Sequence, residues 1–497
     1  MYALAGLVAG LAGIAVSHLV TMLLTIRATP LLAVAEAIIE LTPGSLVESL
    51  IHLVGQWDKP LLIVGVTAGS VALATWAGVL AQRSRFLPSV VFLLMGTIAA
   101  VAVSTRPGAS AYDVIPVVAG TATWLFVLSL LVNRLVQEDR TADPDQARRR
   151  FLTTAGTVMV LAAVAGVGGQ VAGRARRVAD QARKLLRLPV TRGRKPAGSA
   201  LEVPGIEPWR TSNIDFYQID TALTLPTIDP MDWRLRVHGM VENELILTYE
   251  DLLGRDLTED WVTLCCVSNE VGGDLIGNAW WSGVRVADVL AEAGVSPEAD
   301  AVLQTSHDGW TCGTPLEVLT DDRNALLAFA MNGEPLPVNH GFPVRMVVPG
   351  LYGYVSATKW LVDLEVTRFE DFTAFWTARG WAEQAPVKTQ SRVDAPRSGA
   401  TVPAGRRRIG GSAWAQHTGI AKVEYRLDGG AWTEASLGRV PNVDTWVQWA
   451  AEVDVPPGPH TLAVRATDRS GYTQTGVEAA VIPDGATGWH RVDFDAE

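Results

Sequence analysis

Residues 340–360 read HGFPVRMVVPGLYGYVSATKW, and they carry the clearest structural signal in the chain. A β-rich run ends in Pro-Gly, and a second glycine three residues later adds another flexible point. Arg345, Ser356 and Lys359 can then present fixed hydrogen-bond donors to a phosphate group. Each of these residues alone is more often a solvated surface group, so the prediction depends on their combination.

A second stretch, Trp261 to Cys266, has the apolar pattern of a strand and ends in two adjacent cysteines. The period of two along a strand puts Cys265 and Cys266 on opposite faces, so only one of them can ligate a given ion. A loop with Ser, Asn and two glycines follows, and such a loop can surround a ligand. An isolated buried cysteine is more often a small hydrophobic residue. The three cysteines of the chain do not form a disulfide framework.

Composition divides the chain into unlike halves. A length of 497 residues is too great for one compact core, so two or three domains are expected. Residues 1–172 consist mainly of apolar stretches, whereas the chain from about residue 200 mixes short apolar runs with turn residues. The net charge of −11 argues against nucleic acid as a partner, because phosphate backbones require a basic surface.

The first half is predicted to be a multi-pass anchor in the cell membrane. Each of its long apolar stretches is close to the ~20 residues that cross a bilayer. The intervening segment 27–59 contains several acidic residues and is predicted to form interfacial or amphipathic helices. The five predicted spans are residues 2–26, 60–82, 87–104, 111–133 and 151–172.

Loop charges predict the orientation of this anchor. Arginines lie in the loop at 83–85 and again between 134 and 150, which indicates that both loops are cytoplasmic. Five spans then place the C-terminal half outside, although the basic stretch 174–195 alone would favour the opposite. The run from Arg148 to Leu152 resembles a twin-arginine export signal, a route that moves folded domains. The alternative is an ordinary stop-transfer flank.

The soluble half contains further motifs in a fixed order. Asn213 precedes Phe216 and Tyr217, the Leu-x-Cys-x-x-Asn loop follows, and an Asn-Gly-x-x-Leu-Pro turn leads to residues 340–360. Together these motifs resemble the molybdenum-cofactor domain of the sulfite oxidase family over about residues 205–370. The resemblance implies an enzyme with one Mo-molybdopterin per domain, held by a single protein thiolate.

The resemblance also assigns roles to residues. Cys266 would be the molybdenum ligand, and Tyr217 and Gln218 would stand beside it as catalytic residues. A soft thiolate suits such a metal, and the pterin supplies the other sulfur ligands. Arg345 and Lys359 would hold the pterin phosphate. The positions that match cofactor contacts are Asn213, Tyr217, Gln218, Cys266, Thr305, His340, Arg345, Ser356 and Lys359.

Three residues depart from the pattern of family members that oxidise sulfite. Gln218 follows Phe-Tyr, Glu270 follows the loop asparagine, and Cys312 stands roughly where an active-site tyrosine is expected. A dianion gains little from an amide and is repelled by a carboxylate, so a small S- or N-oxide or oxoanion substrate is favoured. Sulfite oxidation proper is the alternative. Trp280, Trp281 and Trp310 are expected either to line a substrate funnel or to pack in the core.

No haem-attachment motif or iron–sulfur cysteine series occurs, so electrons would pass to a separate cytochrome or quinone-linked carrier. An alternative of another class is a non-enzymatic anchored scaffold that keeps the fold.

Residues 388–497 predict about seven short strands and an immunoglobulin-like sandwich. This region is similar to the dimerisation domain of sulfite oxidases, which implies a possible homodimer. The predicted architecture is therefore multidomain. It comprises an all-α transmembrane anchor (1–172), a basic stub and linker (173–204), a mixed α+β cofactor domain (205–387) and an all-β sandwich (388–497).

Replacing Arg148 and Arg149 together with Lys tests the export signal. We expect the C-terminal half to stay inside, because twin-arginine recognition requires the arginine pair and not merely positive charge. Protease accessibility in spheroplasts measures this, with Arg83→Lys/Arg85→Lys as the charge-matched control. Equal accessibility of all three proteins would contradict the twin-arginine interpretation.

Overall fold

The computed structural model describes residues 1–24, 26, 28–42, 57–106, 109–138, 144–172, 183 and 185–497. The chain divides into two compact units, Met1–Arg177 and Val178–Glu497. The basic stub at 173–182 lies outside the described residues.

The first unit is helical. Small residues let its helices approach closely, because a Cβ added at Gly6 would lie only 2.2 Å from the Ala74 carbonyl oxygen. The Trp124 indole also donates a hydrogen bond to the Gly10 carbonyl, 3.0 Å away. Its helices are α1 (Tyr2–Leu23), α2 (Pro30–Leu41), α3 (Asp58–Leu80), α4 (Leu87–Ser104), α5 (Ile115–Glu138, after a 3-10 turn at Ala111–Val114) and α6 (Pro144–Ala172).

Within the described residues, five of these helices, α1 and α3 to α6, are long and apolar enough to cross a membrane. This confirms that five such helices exist, with ends a few residues from those predicted. The remaining helix, α2, is too short to span a bilayer. Its first turn is capped by the Thr29 hydroxyl, which accepts a hydrogen bond from the Leu32 amide. The expected helix in segment 27–59 is therefore present at Pro30–Leu41, while residues 43–56 lie outside the described part.

The second unit is built mainly from strands. Its first part contains β1 (Arg234–Gly239), β2 (Leu245–Thr248), β3 (Thr258–Cys265), β4 (Ile276–Arg285), β5 (Ala301–Ser306), β6 (Thr311–Pro315), β7 (Leu326–Met331), β8 (Glu334–Pro335), β9 (Arg345–Val347) and β10 (Leu361–Thr367). Its short helices are α7 (Tyr249–Leu253, with a capping box at Thr248), α8 (Val286–Ala293) and α9 (Leu316–Thr320).

These strands form two sheets. One has the order β2-β1-β10-β5-β6, and the other has the order β3-β4-β7-β8 with β9 added on β7. Residues of both sheets, among them Leu235, Trp261 and Leu364, belong to one buried apolar cluster. A sheet-rich domain with a few short helices agrees with the predicted mixed α+β class.

The last part of the chain adds two more sheets, ordered β11-β13-β17-β16 and β12-β19-β18-β14-β15. They share one apolar cluster, in which Trp449 of the first sheet lies with Val423 and Val464 of the second. An all-β region is thus present with more strands than the seven expected, whereas its immunoglobulin-like classification stays a prediction. The strands are β11 (Gln390–Ala395), β12 (Thr401–Val402), β13 (Gly405–Trp414), β14 (Ile420–Leu427), β15 (Thr433–Glu434), β16 (Ser436–Leu437), β17 (Val447–Val455), β18 (Gly458–Asp468) and β19 (Arg491–Ala496).

Part of the predicted linker is packed instead of free. Leu186, Leu188 and Val190 lie against the main cluster of the second unit. The Thr191 amide donates to the Glu259 carboxylate at 2.8 Å, and the Leu201 amide donates to the Gln448 side chain at 2.7 Å. The alternating apolar residues of this segment give it a buried face, which explains the difference from a flexible linker.

The C-terminal region also covers the free edge of β3. The Thr263 amide donates to the Asp444 carbonyl at 2.9 Å, and the Gln416 side chain donates to the Thr263 carbonyl at 3.2 Å. Because an uncovered edge strand leaves backbone groups without partners, these bonds fix β3 and the residues that follow it.

Candidate functional site

Cys266 lies directly after β3, at the start of a closed loop. Its amide donates to the Leu275 carbonyl at 2.9 Å, and its carbonyl accepts from the Asn269 amide at 3.1 Å. The Asn269 side-chain oxygen accepts from the Leu275 amide at 2.8 Å, so this buried asparagine ties the two ends of the loop together. The loop from Cys266 to Leu275 therefore holds the thiol in a defined place. We call these ten residues the ligand loop.

The two neighbouring cysteines have different surroundings. Cys265 packs in the main apolar cluster, whereas Val262 and Leu264 belong to a second cluster on the other side of β3. Alternation along β3 therefore holds as predicted up to Cys265, and Cys266 stands one residue past the end of the strand. Both thiols are buried.

The two thiols also differ in the interactions that shift their pKa values. Burial raises the pKa of Cys266, but hydrogen bonds from Ser268 and Val267 and the charge of Lys359 act in the opposite direction. For Cys265, burial raises the pKa well above its ordinary value and the Cys266 charge adds to this. Hydrogen bonds from Ser268 and Val267 thus distinguish Cys266 from Cys265, and such bonds favour the thiolate, the form that binds metals.

Tyr217 faces the same region. Its ring stacks on Phe216 with centroids 5.1 Å apart, and Phe216 belongs to the cluster that contains Val262 and Leu264. A Cβ added at Gly353 would lie 3.6 Å from the Tyr217 hydroxyl and 3.7 Å from the Cys265 carbonyl, so these elements meet there. Burial raises the pKa of Tyr217 well above its ordinary value, as does the nearby Cys266 charge, and keeps the phenol protonated.

His340 is fully buried beside this group. Its Nε2 lies 2.8 Å from the Asn213 carbonyl oxygen and must carry the proton to donate there. Burial, followed by the charge of Arg345, lowers the pKa of His340 to about 4, so the ring is neutral. Its Nδ1 is then an acceptor, and it finds no hydrogen-bond partner among the described residues.

Arg345 is a buried cation that contacts no carboxylate in the described part of the chain. Its guanidinium donates to the carbonyls of His340 at 3.1 Å, Met346 at 3.3 Å and Ala357 at 3.4 Å. It also lies over the Trp281 ring, 5.1 Å from the centroid. Burial lowers the pKa of Arg345 to about 10, which still leaves it charged at neutral pH.

Lys359 is the second cation of the site, and its partner was not predicted. Its Nζ lies 3.2 Å from the Asp220 carboxylate and donates to the Asn339 carbonyl at 3.0 Å. Both side chains are largely buried. Asp220 ends the Asn213–Asp220 motif, so its spacing from Tyr217 was visible in the sequence but its partner was not.

Asn213 acts here through its backbone. Its side chain is held by the Asn332 amide, which donates to Asn213 Oδ1 at 2.7 Å, and it donates in turn to the Met331 carbonyl at 3.2 Å. Asn332 has a positive φ of 55°, a conformation that asparagine tolerates better than most residues. The Asn-Gly turn therefore positions the carbonyl that orients His340.

The remaining residues that were predicted to contact the cofactor are Ser356, Thr305 and Gln218. The buried Ser356 hydroxyl donates to the Tyr352 carbonyl at 2.9 Å and thus supports its own turn. Thr305 is half-buried on β5, paired in register with Asp363 and Thr311. Gln218 is exposed. The contacts described above join Asn213, Tyr217, Cys266, His340, Arg345 and Lys359, and they do not extend to Gln218 or Thr305.

The positions that depart from sulfite-oxidising relatives also differ in exposure. Glu270 is exposed on the ligand loop. Cys312 is buried, with its sulfur 3.2 Å from the Thr358 hydroxyl, and burial raises its pKa to about 12. Trp281 is a fully buried core residue, which agrees with the packing alternative, whereas Trp280 packs on Trp261 and, like Trp310, is half-buried, so the funnel stays a prediction for these two.

The pKa of His340 predicts a loss of stability in acid. In the unfolded chain His340 takes up a proton near pH 6.5, whereas in the folded chain it does so only near pH 4. The free energy of unfolding therefore falls as the pH drops through this window. His340→Asn should flatten that fall by up to about 3 kcal/mol. Denaturant unfolding between pH 7.5 and pH 4 measures it, with His238→Asn as control. Identical slopes for wild type and His340→Asn would contradict the assignment.

Residues 222–376 match the family model described as "Oxidoreductase molybdopterin binding domain". An uncharacterised oxidoreductase of Bacillus subtilis (strain 168), YuiH, is 38% identical over 153 residues, which are 31% of this chain and 74% of that protein. Chicken (Gallus gallus) sulfite oxidase is 30% identical over 324 residues, covering 54% of this chain and 70% of the relative.

Human mitochondrial sulfite oxidase is 32% identical over 322 residues, and the match covers 54% of this chain and 59% of the human enzyme. The chain thus spans less than two thirds of the human relative's length. It belongs to the sulfite oxidase family of molybdopterin-dependent oxidoreductases.

Proposed function

We propose that this oxidoreductase is anchored in the cell membrane and performs oxo transfer on a small S- or N-oxide or oxoanion outside the cytoplasm. Cys266 would be the molybdenum ligand. The observation that carries the proposal is the closed ligand loop, which holds the buried Cys266 thiol in a defined place where the charge of Lys359 acts on it. Electrons would be exchanged with a separate cytochrome or quinone-linked carrier.

The residues present fit Mo-molybdopterin, the cofactor of the family. A buried guanidinium without a carboxylate is costly unless an anion binds it, and the phosphate of the pterin is such an anion. The unpartnered Nδ1 of His340 is an acceptor suited to an N–H group of the pterin. The Cys266 thiol supplies the soft ligand. Arg345, Lys359 and His340 would hold the pterin, and Cys266 would hold the metal.

When bound, the molybdenum–pterin supplies two-electron oxo-transfer chemistry. The chain's own groups prepare the site around it. Hydrogen bonds from Ser268 and Val267 stabilise the Cys266 thiolate, and Tyr217 keeps its proton and can donate a hydrogen bond to a substrate oxygen. The Asn213 carbonyl fixes the His340 tautomer, so Nδ1 would be available to the pterin as an acceptor.

Two exposed residues support a substrate other than sulfite. Gln218 offers a neutral amide next to Tyr217, and Glu270 adds negative charge to the ligand loop. Neither favours a dianion, whereas an amide can hydrogen-bond a neutral S–O or N–O group. Sulfite oxidation proper is the second candidate, and the sequence similarity to named sulfite oxidases favours it.

Charges in the helical unit support the proposed membrane topology. Arg106, after α4, lies 2.8 Å from the Glu36 carboxylate of α2. Both residues lie in segments between spans that alternate with the two loops predicted to be cytoplasmic, which puts them outside, and their ion pair agrees with a common side. With an odd number of spans, the chain after α6 emerges on that side, and the twin-arginine-like run before α6 offers a route for a folded domain.

We also propose the domain boundaries and the oligomeric state. The domains are proposed at 1–172, 173–204, 205–387 and 388–497, with the last an immunoglobulin-like sandwich that supports a homodimer. Two sheets sharing one apolar cluster support the sandwich.

Replacing Cys266 with Ser tests the ligand assignment. Wild type should contain about one molybdenum per chain and show a thiolate-to-metal charge-transfer absorption. Cys266→Ser should lose this absorption, because a hydroxyl is a harder and weaker ligand, whereas Cys265→Ser should keep it. Metal analysis and visible spectroscopy of purified protein measure both. A spectrum lost in Cys265→Ser and kept in Cys266→Ser would refute the assignment.

The substrate proposal predicts a gain of function. We expect wild type to turn over S- or N-oxides such as methionine sulfoxide faster than sulfite, and Gln218→Arg to lower the KM for sulfite about tenfold, because a guanidinium binds an oxoanion more strongly than an amide. Thr433→Arg, on exposed β15, controls for added charge. If wild type prefers sulfite, the second candidate function replaces the first.

A further inference from the structure

We propose that Arg392, on strand β11 of the C-terminal region, is a positioning residue for the ligand loop. This inference rests on the proposed role of Cys266. It extends the function of the C-terminal region, which otherwise has only a proposed role in assembly, to the geometry of the metal site.

A charged hydrogen bond joins the two regions. Nη1 of Arg392 donates to the Gly273 carbonyl oxygen at 2.8 Å. Gly273 also closes a turn, because its own amide donates to the Glu270 carbonyl at 2.9 Å. The Arg392 side chain is only 7% exposed, so water competes little for this bond. A buried cationic donor therefore fixes the far end of the ligand loop.

A second side chain from the same region lies against the preceding residue. A Cβ added at Gly272 would come within 2.2 Å of the His490 ring, and Gly272 has a φ of +80°. The His490 ring is itself oriented, because its Nδ1 accepts from the Val393 amide at 3.0 Å. Gly272 and Gly273, which are consecutive in the loop, therefore lie against two oriented side chains. These are His490, in the segment before β19, and Arg392, on β11.

Arg392 is itself held rigidly. Its Nε donates to the buried Asp394 carboxylate at 2.6 Å, and its own carbonyl accepts from the Trp449 indole at 3.0 Å. Its guanidinium also lies 5.9 Å from the centroid of the Trp446 ring. A donor with these restraints can impose its position on the loop, whereas a flexible one could not.

The loop needs such support because it has few bonds of its own. Asn269 joins the ends of the loop. Between Glu270 and Asp274, the internal backbone hydrogen bond is the one from the Gly273 amide to the Glu270 carbonyl. Without the Arg392 contact, this turn would be free to open into solvent on the side where Glu270 is exposed. The direction of the Cys266 sulfur would then vary, since the same loop fixes its backbone.

Arg392→Met in the full-length holoenzyme tests this proposal, because Met keeps the length and removes the donor. Hydrogen exchange of amides in residues 266–275 should accelerate about ten- to a hundredfold, the range expected for one charged hydrogen bond. The Mo(V) electron paramagnetic resonance signal should broaden or shift. Arg392→Lys should restore part of both effects. Arg406→Met, at a solvent-exposed arginine of β13, is the matched control.

Unchanged loop exchange and an unchanged Mo(V) signal in Arg392→Met would overturn the proposal. Accelerated exchange across β17 and β18 as well as the loop would also overturn it, since Arg392 would then be a general structural residue. Should Arg392→Met fail to fold, Arg392→Lys alone decides by the same two measurements. A wild type without molybdenum would refute the proposed function, while loop exchange would still report on the Arg392 contact.

Discussion

The edge of β3 is the constraint on which the site depends. This strand leads directly into the ligand loop, and one side of it pairs with β4. Its other side is closed by the backbone of Asp444 and the side chain of Gln416, both from the C-terminal region. Because buried backbone groups must be paired, these bonds stabilise β3 in its place in the sheet. The position of the proposed metal ligand Cys266 is therefore supported by two folded parts, although the residue itself belongs to one.

This arrangement gives the C-terminal region a direct influence on the thiol. The edge contacts hold the start of the ligand loop, and the proposed Arg392 contact holds its far end. The two supports come from separate segments: the loops after β13 and before β17 provide the edge contacts, and strand β11 provides Arg392. Since both bond to backbone atoms, substitutions within the ligand loop can change its side chains without removing the supports.

The sequence made local relations predictable and left distant ones hidden. Alternation separated the two cysteines, and apolar length identified the helices that can span a membrane. These depend on neighbours within a few residues. The Asp220–Lys359 pair joins residues 139 positions apart, and the Arg392 bond to Gly273 spans 119. No periodicity specifies such pairs, because they arise only when sheets pack. The docking of residues 186–201 was missed for the same reason.

The distribution of charge explains why two basic residues at the site are not equivalent. Lys359 has the Asp220 carboxylate at 3.2 Å, whereas Arg345 has carbonyl oxygens and an aromatic ring. One positive charge is thus left over and buried, and it contributes to keeping His340 neutral. A neutral imidazole can accept a hydrogen bond where an imidazolium could not. The uncompensated guanidinium therefore does two things at once: it attracts an anion, and it prepares a neighbouring acceptor for the rest of the same ligand.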